Sequence, residues 1–322
     1  MASKGSHKSQ GRMNSTQNKW GVIYCPKEGS GKTHRRWNKI RRYLTEQGVA
    51  FDFVQSEGAG SVKRLAAMMT DNGYRTIVVV GGDAALCDAL NGIMERTPHT
   101  TQRPALGVIP NGFGNDFAHY WGFDEDDYKQ TIGWLRLRRT RRVDVGRADI
   151  ENEKGHETHY FLNCISVGVA AAIMGIRRKT HSFLGFNTLS YLCSALWLVF
   201  QRMTYHITFR LNSEEKTAHV MNACVGSSTG YGQTPSAVPY NGQLDVTTTA
   251  HPKLTQLFYG LQQLFAGRFL KSDKVESWRT KHVNFVVTDK APIAIDGHKL
   301  HYTVKSMDIV LQPEAIEFLI PQ

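Results

Sequence analysis

The chain has 322 residues, 41% of them hydrophobic and 21% charged, with a formal net charge of +11. This length exceeds what one hydrophobic core usually serves, so we expect two domains, and the composition excludes wholesale disorder. The positive charge favours an anionic partner, a condition that nucleotide, phosphorylated substrate, nucleic acid and acidic lipid all meet. Because no zinc-finger spacing or aromatic-rich RNA-binding signature accompanies the charge, we expect no nucleic-acid partner.

The N-terminal residues 1–17 are polar and basic, which predicts a disordered tail rather than a secretory signal. The cysteines are widely spaced and sit in apolar runs, which is typical of reduced, buried thiols in a cytosolic protein. They are Cys25, Cys87, Cys164, Cys193 and Cys224.

From residue 18 onwards, short apolar runs alternate with amphipathic helical patterns. Strands are predicted at 20–25, 50–54, 76–80 and 105–109, with helices between them. This alternation predicts a parallel sheet covered on both faces, and therefore an α/β, doubly wound domain.

After Arg142 the pattern changes, and strands predominate. They are predicted at 143–150, 160–169, 205–211, 218–226, 243–249, 283–287 and 301–311. Antiparallel sheets are therefore expected in the second half. The uncharged stretch Ser182 to Gln201 favours a core-facing helix, with a membrane-touching helix as the alternative.

Three glycine-bearing turns each follow a predicted strand, and ligands bind at the carboxyl ends of such strands. The first turn, Gly29-Ser30-Gly31-Lys32-Thr33, resembles a phosphate-binding loop, yet Pro26 stands where a true P-loop requires glycine. We therefore reject a P-loop. A looser phosphate-binding turn with Lys32 nearby and a plain strand-to-helix connection both remain open.

The second turn, Gly81-Gly82-Asp83, places a carboxylate at the tip of a buried strand and at the start of a helix. Capping of that helix would explain Asp83 but not the glycine pair, which permits close approach of a ligand. The third turn, Pro110 to Asp116, is richer in turn-forming residues than a simple connection needs, and its amides suit phosphate or ribose.

At this point a family resemblance becomes specific. It is carried by the motifs Val80-Gly81-Gly82-Asp83 with Leu86 and Asn91-Gly92, Ile109-Pro110-Asn111-Gly112 with Gly114-Asn115-Asp116-Phe117-Ala118, and later Val143-Asp144-Val145-Gly146-Arg147 and Ile295-Asp296-Gly297. In these motifs the chain is similar to the diacylglycerol kinase catalytic-domain family, which includes sphingosine kinases and bacterial lipid kinases, and the similarity runs from roughly Lys19 to the C-terminus.

The resemblance implies an ATP-binding α/β domain over 18–142, to which residues 312–322 return, and a lipid-substrate β-sandwich domain over 143–311. It implies a cleft in which a lipid hydroxyl attacks the γ-phosphate of ATP with Mg²⁺. The nucleotide contacts that it implies are Pro26, Gly29, Ser30, Gly31, Lys32, Ser56, Gly81, Gly82, Asp83, Ala84, Ala85, Asp88, Asn111, Gly112, Phe113, Gly114, Asn115 and Asp116.

Three residues are implied to stand nearest the chemistry. Asp83 would hold Mg²⁺ with ATP or assist deprotonation, and Asp296 would orient the reacting hydroxyl. His298 occupies the place of the family's catalytic glutamate, so it is either a substituted base or a sign of lost activity.

The chain departs from the family pattern elsewhere too. Ala84 and Ala85 replace a Gly-Thr pair and Phe113 replaces a threonine, and each lost hydrogen bond to phosphate costs about 1.5–3 kcal/mol. A weak structural cation site is implied at Val238, Asn241 and Gln243, impaired because Asn241 replaces an aspartate.

The leading hypothesis is thus an ATP-dependent kinase of a diacylglycerol-like or sphingoid alcohol. The alternatives are a catalytically impaired nucleotide- or lipid-binding protein and an NAD kinase. The basic clusters Arg136 to Arg142 and Arg177 to Lys179 predict peripheral contact with an anionic surface, at the inner face of the membrane. A homodimer is left open.

Overall fold

The computed structural model describes residues 16–26, 31–58, 60–100, 102–112, 114–173, 204–211, 214–250, 275–287 and 289–322, without the side chains of 31–34. Most of the predicted basic tail, the stretch Ser182 to Gln201, and the cluster Arg177 to Lys179 therefore lie outside the described residues. The chain divides into two compact units, Met1–Val143 with Glu314–Gln322, and Asp144–Pro313.

Strands alternate with helices in the first part of the chain, and strands follow one another in the second. In chain order the first elements are β1 (Trp20–Tyr24), α1 (Gly31–Glu46), β2 (Phe51–Gln55), α2 (Ser61–Asp71), β3 (Thr76–Gly81), α3 (Asp83–Arg96), β4 (Ala105–Pro110), α4 (Asp116–Tyr120) and α5 (Tyr128–Arg136). The later ones are β5 (Thr140–Asn152), β6 (Gly155–Phe161), β7 (Cys164–Gly168), β8 (Tyr205–Leu211), β9 (Glu214–Val220), β10 (Asn222–Gly226), β11 (Leu244–Thr249), β12 (Val275–Thr280), β13 (His282–Val287), β14 (Ile293–Ile295), β15 (His298–Lys299) and β16 (Val304–Leu319).

The first unit is built on a parallel sheet of order β2-β1-β3-β4-β16, to which β16 contributes its last residues. Every residue of β1, β3 and β4 is buried, as expected of strands covered on both faces. The amphipathic helix α1 buries Trp37, Ile40 and Leu44, and the Trp37 ring stacks on Tyr24 with centroids 4.7 Å apart.

The second unit contains antiparallel sheets. One has the order β12-β11-β10-β7-β14-β15, and the other pairs β16 with β13, β13 with β8 and β8 with β9, while β5 pairs with β6. Phe209 of one sheet meets Trp278 of the other with ring centroids 5.3 Å apart, so apolar side chains from both sheets share a core. The predicted fold class is confirmed: a mostly parallel α/β sheet followed by antiparallel sheets.

Two predicted strands each divide in two. The run 218–226 ends as β9 at Val220 and begins again as β10 at Asn222, in another sheet. The apolar run 160–169 was expected to be a single strand, but it ends as β6 at Phe161 and begins again as β7 at Cys164, each in a different sheet. The backbone amides at the break, those of Leu162, Asn163 and Cys164, donate to the carboxylate of Asp296. A distant side chain thus supplies the hydrogen bonds that a continuous strand would have made.

Candidate functional site

The turns after β3 and β4 are in direct contact in the first unit. The backbone N–H of Asn111 donates to the carbonyl of Gly81 over 2.9 Å, and that of Asp83 donates to the carbonyl of Gly114 over 2.8 Å. Two of the three glycine-bearing turns predicted from the sequence therefore meet at the carboxyl edge of the sheet.

Gly82 and Gly112 face each other across this contact. A Cβ on Gly82 would lie 2.5 Å from the Gly114 carbonyl oxygen, and one on Gly112 would lie 2.2 Å from the Gly82 Cα. Neither position has room for a side chain. Packing of one turn against the other therefore explains Gly112 and also Gly82, which the sequence analysis had interpreted, together with Gly81, as permitting close approach of a ligand.

Asp83 joins the same two turns through its side chain. Its carboxylate accepts from the backbone N–H groups of Asp116, over 2.8 Å, and Phe117, over 3.1 Å, and only 5% of the residue is exposed. Asp83 is the first residue of α3, whose N-cap is Gly82, so it does not cap its own helix. It caps α4 instead, from the neighbouring turn.

Asn115 orders the turn after β4. Its Oδ1 accepts from the backbone N–H of Gly112 over 3.1 Å, and its Nδ2 donates to Oε2 of Glu125 over 2.6 Å. Asn115 is 4% exposed. The Asn115 side chain, which was predicted to contact nucleotide, thus holds the backbone of its own turn in place.

Cys25 and Ser56 lie at the carboxyl ends of the two neighbouring strands, β1 and β2. The N–H of Cys25 donates to Val80 and that of Ser56 donates to Tyr24, so both residues border the same edge of the sheet. The pKa of the Cys25 thiol is raised to about 11, mainly by burial; a hydrogen bond with Ser56 lowers it, and the charge of Asp88 raises it. Ser56 and Asp88, both predicted from the sequence, thus meet at Cys25, which was not.

The other residues predicted to bind nucleotide are distributed as follows. Ala84 and Ala85 form the first turn of α3, and a Cβ on Gly81 would lie 3.0 Å from the Ala85 methyl group, so this methyl covers the glycine. Pro26 and Asp116 are half-buried near the same edge. Gly29, Ser30 and Phe113 lie outside the described residues, and only the backbone of Gly31 and Lys32 is described, as the start of α1.

Arg36 is a residue of this edge that the sequence analysis did not single out. Its Nη2 donates to the carbonyl of Pro110 over 3.1 Å, which carries the guanidinium from α1 to the end of β4. The available signal was its spacing: Arg36 precedes the buried Ile40 by four residues, so it shares the inner face of an amphipathic helix.

Asp296 has a comparable role in the second unit. It forms, with Gly297, the two-residue turn between β14 and β15, and their φ values of 42° and 86° fit the Asp-Gly hairpin turn. Its carboxylate accepts from Leu162, Asn163 and Cys164 over 2.8, 3.0 and 2.7 Å. A residue predicted to be catalytic is therefore also an anchor for the β6–β7 connection.

His298 follows this turn on β15 and is half-buried, paired with Ile295. Asp296 and His298 are therefore neighbours on one hairpin.

Asp296 also influences the thiol of Cys164, whose backbone N–H donates to the Asp296 carboxylate. The pKa of this thiol lies well above its usual range because of a hydrogen bond with Cys224, burial, and the charges of Cys224 and Asp296.

The loop predicted to hold a structural cation is a hydrogen-bonded turn. The Val238 carbonyl accepts from the N–H groups of Tyr240 and Asn241, and Asn241 Oδ1 accepts from the N–H of Gln243 over 2.9 Å. Two oxygens of the predicted ligand set are therefore already engaged with backbone donors. Over the described ranges, no group of three or more His, Cys, Asp and Glu residues is arranged to hold a metal ion.

No helix within the described part of the chain is both long enough and apolar enough to cross a membrane.

The fold and the site define an α/β protein with loops gathered at the carboxyl edge of a parallel sheet and a second, antiparallel β unit. Residues 19–148 match the family model of the diacylglycerol kinase catalytic domain, and residues 163–320 match that of the YegS C-terminal NAD kinase beta sandwich-like domain. The chain belongs to the diacylglycerol kinase family, as the sequence motifs had suggested.

Relatives and a solved structure agree with this assignment. A diacylglycerol kinase of Staphylococcus carnosus is 21% identical over 86% of this chain and 87% of its own length. A YegS-like protein of Shewanella frigidimarina, named as a probable lipid kinase, is 25% identical over the same shares. A solved candidate diacylglycerol kinase of Bacillus anthracis has the same fold, with a TM-score of 0.71, 17% identity, and coverage of 94% of this chain and 97% of its own. Family membership supports a lipid-kinase role.

Proposed function

We propose that the chain transfers the γ-phosphate of ATP, with Mg²⁺, to the hydroxyl of a diacylglycerol-like or sphingoid lipid at a membrane surface. The observation that carries this proposal is the contact between the turns 81–83 and 111–116, held by Asp83 beside the ends of β1 and β2. Polar loops at the carboxyl edge of a parallel sheet are where nucleotides bind in this class of fold.

Phosphoryl transfer needs positioned phosphates, a divalent ion and an aligned nucleophile rather than covalent work by the protein. Mg²⁺ is usually held by one or two carboxylates together with the phosphates themselves. Asp83 and Asp88 supply carboxylates at this edge, and the positive net charge of +11 favours a polyanionic ligand. We assign metal and phosphate binding to this edge, and alignment of the lipid hydroxyl to Asp296 and His298.

The test is transfer of radiolabelled γ-phosphate from ATP to purified diacylglycerol, sphingosine and a mixed lipid extract, with and without Mg²⁺. Asp83→Asn is expected to lower kcat/KM by about 10² to 10³, because a carboxylate that would hold Mg²⁺ at the phosphates, and so stabilise charge in the transition state, loses its charge. Asp71→Asn is the matched control, because Asp71 is a half-exposed partner of Arg96 on the surface of the same unit.

Unfolding in urea separates the contribution of Asp83 to stability from its contribution to catalysis. If Asp83→Asn lowers stability but leaves turnover per folded molecule unchanged, Asp83 serves only the backbone. If the unmodified chain labels no lipid under any of these conditions, the kinase proposal fails.

One observation favours a second candidate, a nucleotide- or lipid-binding protein without catalysis. Both aspartates predicted to be catalytic accept hydrogen bonds from backbone amides through their carboxylates, and this structural role does not require catalysis. Calorimetry with ATP and Mg²⁺ distinguishes the two candidates. Binding without turnover supports the non-catalytic protein, whereas binding with lipid labelling supports the kinase.

A further inference from the structure

Arg36 brings positive charge to the carboxyl edge of the sheet. Its Nη2 donates to the Pro110 carbonyl over 3.1 Å, while its Nε is buried and has no hydrogen-bond partner among the described residues. The neighbouring Arg35 is exposed on the same helix. Because a guanidinium carries five N–H donors in a planar fork, one bond to a carbonyl leaves capacity for an oxyanion.

Asn111 supplies a second donor next to the carbonyl that Arg36 contacts. The residue is 6% exposed, and its Nδ2 is buried without an acceptor among the described residues. Its own backbone N–H is bound to Gly81, one residue before the N-cap of α3. A buried donor that lacks an acceptor destabilises the protein, so an arriving oxygen atom would relieve the cost.

We propose that Arg36 and Asn111 form a binding site for phosphate oxyanions at the end of β4. The unpartnered atoms on both residues are donors, and the N-terminus of the 14-residue helix α3 begins beside them, which favours negative charge. This inference rests on the proposed function for its occupant, the polyphosphate of a nucleotide. Free inorganic phosphates offer the same oxygens.

The experiment measures binding of inorganic pyrophosphate and, separately, of ATP to the full chain by calorimetry. Arg36→Gln is expected to weaken pyrophosphate binding by about ten- to hundredfold, because a charge-assisted hydrogen bond is lost. Arg36→Lys, which keeps the charge but loses the fork, should recover part of that loss. Arg35→Gln removes the same charge one residue away and should leave binding almost unchanged.

Asn111→Ala tests the second donor and should weaken pyrophosphate binding by about tenfold. Thermal unfolding of each variant establishes that it is folded. Should Arg36→Gln not fold, the site is judged on Arg36→Lys, which must then bind pyrophosphate more weakly than the unmodified chain.

The site is refuted if Arg36→Gln binds pyrophosphate as tightly as the unmodified chain, if Arg35→Gln weakens binding equally, or if the unmodified chain binds neither pyrophosphate nor ATP. Its failure is separate from failure of the proposed function. If the chain labels lipid and Arg36→Gln still binds pyrophosphate undiminished, the phosphate site is refuted while the kinase proposal stands. If pyrophosphate binding depends on Arg36 but the chain labels no lipid, the phosphate site stands and the kinase proposal is refuted. If Arg36→Gln loses pyrophosphate binding but binds ATP as tightly as the unmodified chain, the site binds free inorganic phosphates rather than nucleotide. The proposal that a nucleotide polyphosphate occupies the site is then wrong.

Discussion

Asp83 and Asp296 lie in different units, yet their carboxylates do the same work. Each is at least 95% buried and accepts from the backbone N–H groups of a segment far away in sequence. Hydrogen bonds to a charged acceptor contribute about 1.5–3 kcal/mol each, and the buried amides would otherwise lack partners. Both residues therefore stabilise the loops on which a site would be built, whatever further part they play in chemistry.

Cys25 gives a pH-dependent signal at the same edge of the sheet. Because burial raises its pKa to about 11, alkylation by iodoacetamide should reach half its maximal rate near that pH, rather than near the value of about 8.5 of a free thiol. Ser56→Ala should move the midpoint higher, since the hydrogen bond from Ser56 lowers this pKa. The measurement follows labelling of Cys25 by mass spectrometry.

The measurement is made on a variant that carries Cys193→Ser, since Cys193 lies outside the described residues. The control is the same variant with Cys25→Ser added. A folded-state pKa above the unfolded one also implies a stability contribution that is complete below about pH 8.5 and is lost as the pH rises towards 11. A labelling midpoint between pH 8 and 9 would show that the thiol is not held as the structure indicates.

Among the elements, the connections after β3 and β4 depend on each other. The turn after β3 contributes Gly82 and Asp83, and the turn after β4 contributes Gly112, the Gly114 carbonyl and the start of α4. Since backbone meets backbone, neither turn can shift alone. A change of one glycine is therefore expected to disturb both turns.

Gly82→Ala and Gly133→Ala should change stability in opposite directions. A Cβ on Gly82 would meet the Gly114 oxygen at 2.5 Å, so we expect a loss of about 1–3 kcal/mol, typical of overpacking. Gly133 lies inside α5 with open space around its Cβ position, so alanine there should add about 0.5–1 kcal/mol through helix propensity. Urea denaturation of both variants gives the free energies of unfolding, and equal effects would contradict the tight packing at Gly82.

For the molecule as a whole, the net charge of +11 favours binding to anionic surfaces, and exposed arginines at the end of α5 and just after it carry part of this charge. Arg136 donates to Gln47 and Arg138 to the carbonyl of Asn18, which places them near the amino ends of β2 and β1. The predicted nucleotide loops lie at the carboxyl ends. Surface attachment through this cluster would therefore act at the opposite edge of the parallel sheet.

Replacement of Arg139, Arg141 and Arg142 together by glutamine should weaken binding to phosphatidylserine-containing vesicles by about a hundredfold at low salt, at about 1 kcal/mol per residue. Co-sedimentation across a series of acidic-lipid and salt concentrations measures this effect. Lys154, Lys290 and Lys299 changed to glutamine form a control of equal charge, because all three are exposed in the second unit. Sedimentation that responds to neither salt nor acidic lipid would exclude this surface.

The sequence by itself determined the class of fold and the family. Apolar periodicity reports which residues are buried in each segment, so the alternation of strands and helices up to Arg142 and the strand-rich remainder were predictable, as were the turns at 81–83 and 111–116. Tertiary structure alone decided which groups Asp83, Asp296 and Arg36 bind. The hydrogen-bond partners of Asp83 lie 33 or 34 residues away in sequence, those of Asp296 132–134 residues away, and that of Arg36 74 residues away. Local pattern carries no information about which loop will face another, because that depends on the order in which the strands assemble into a sheet.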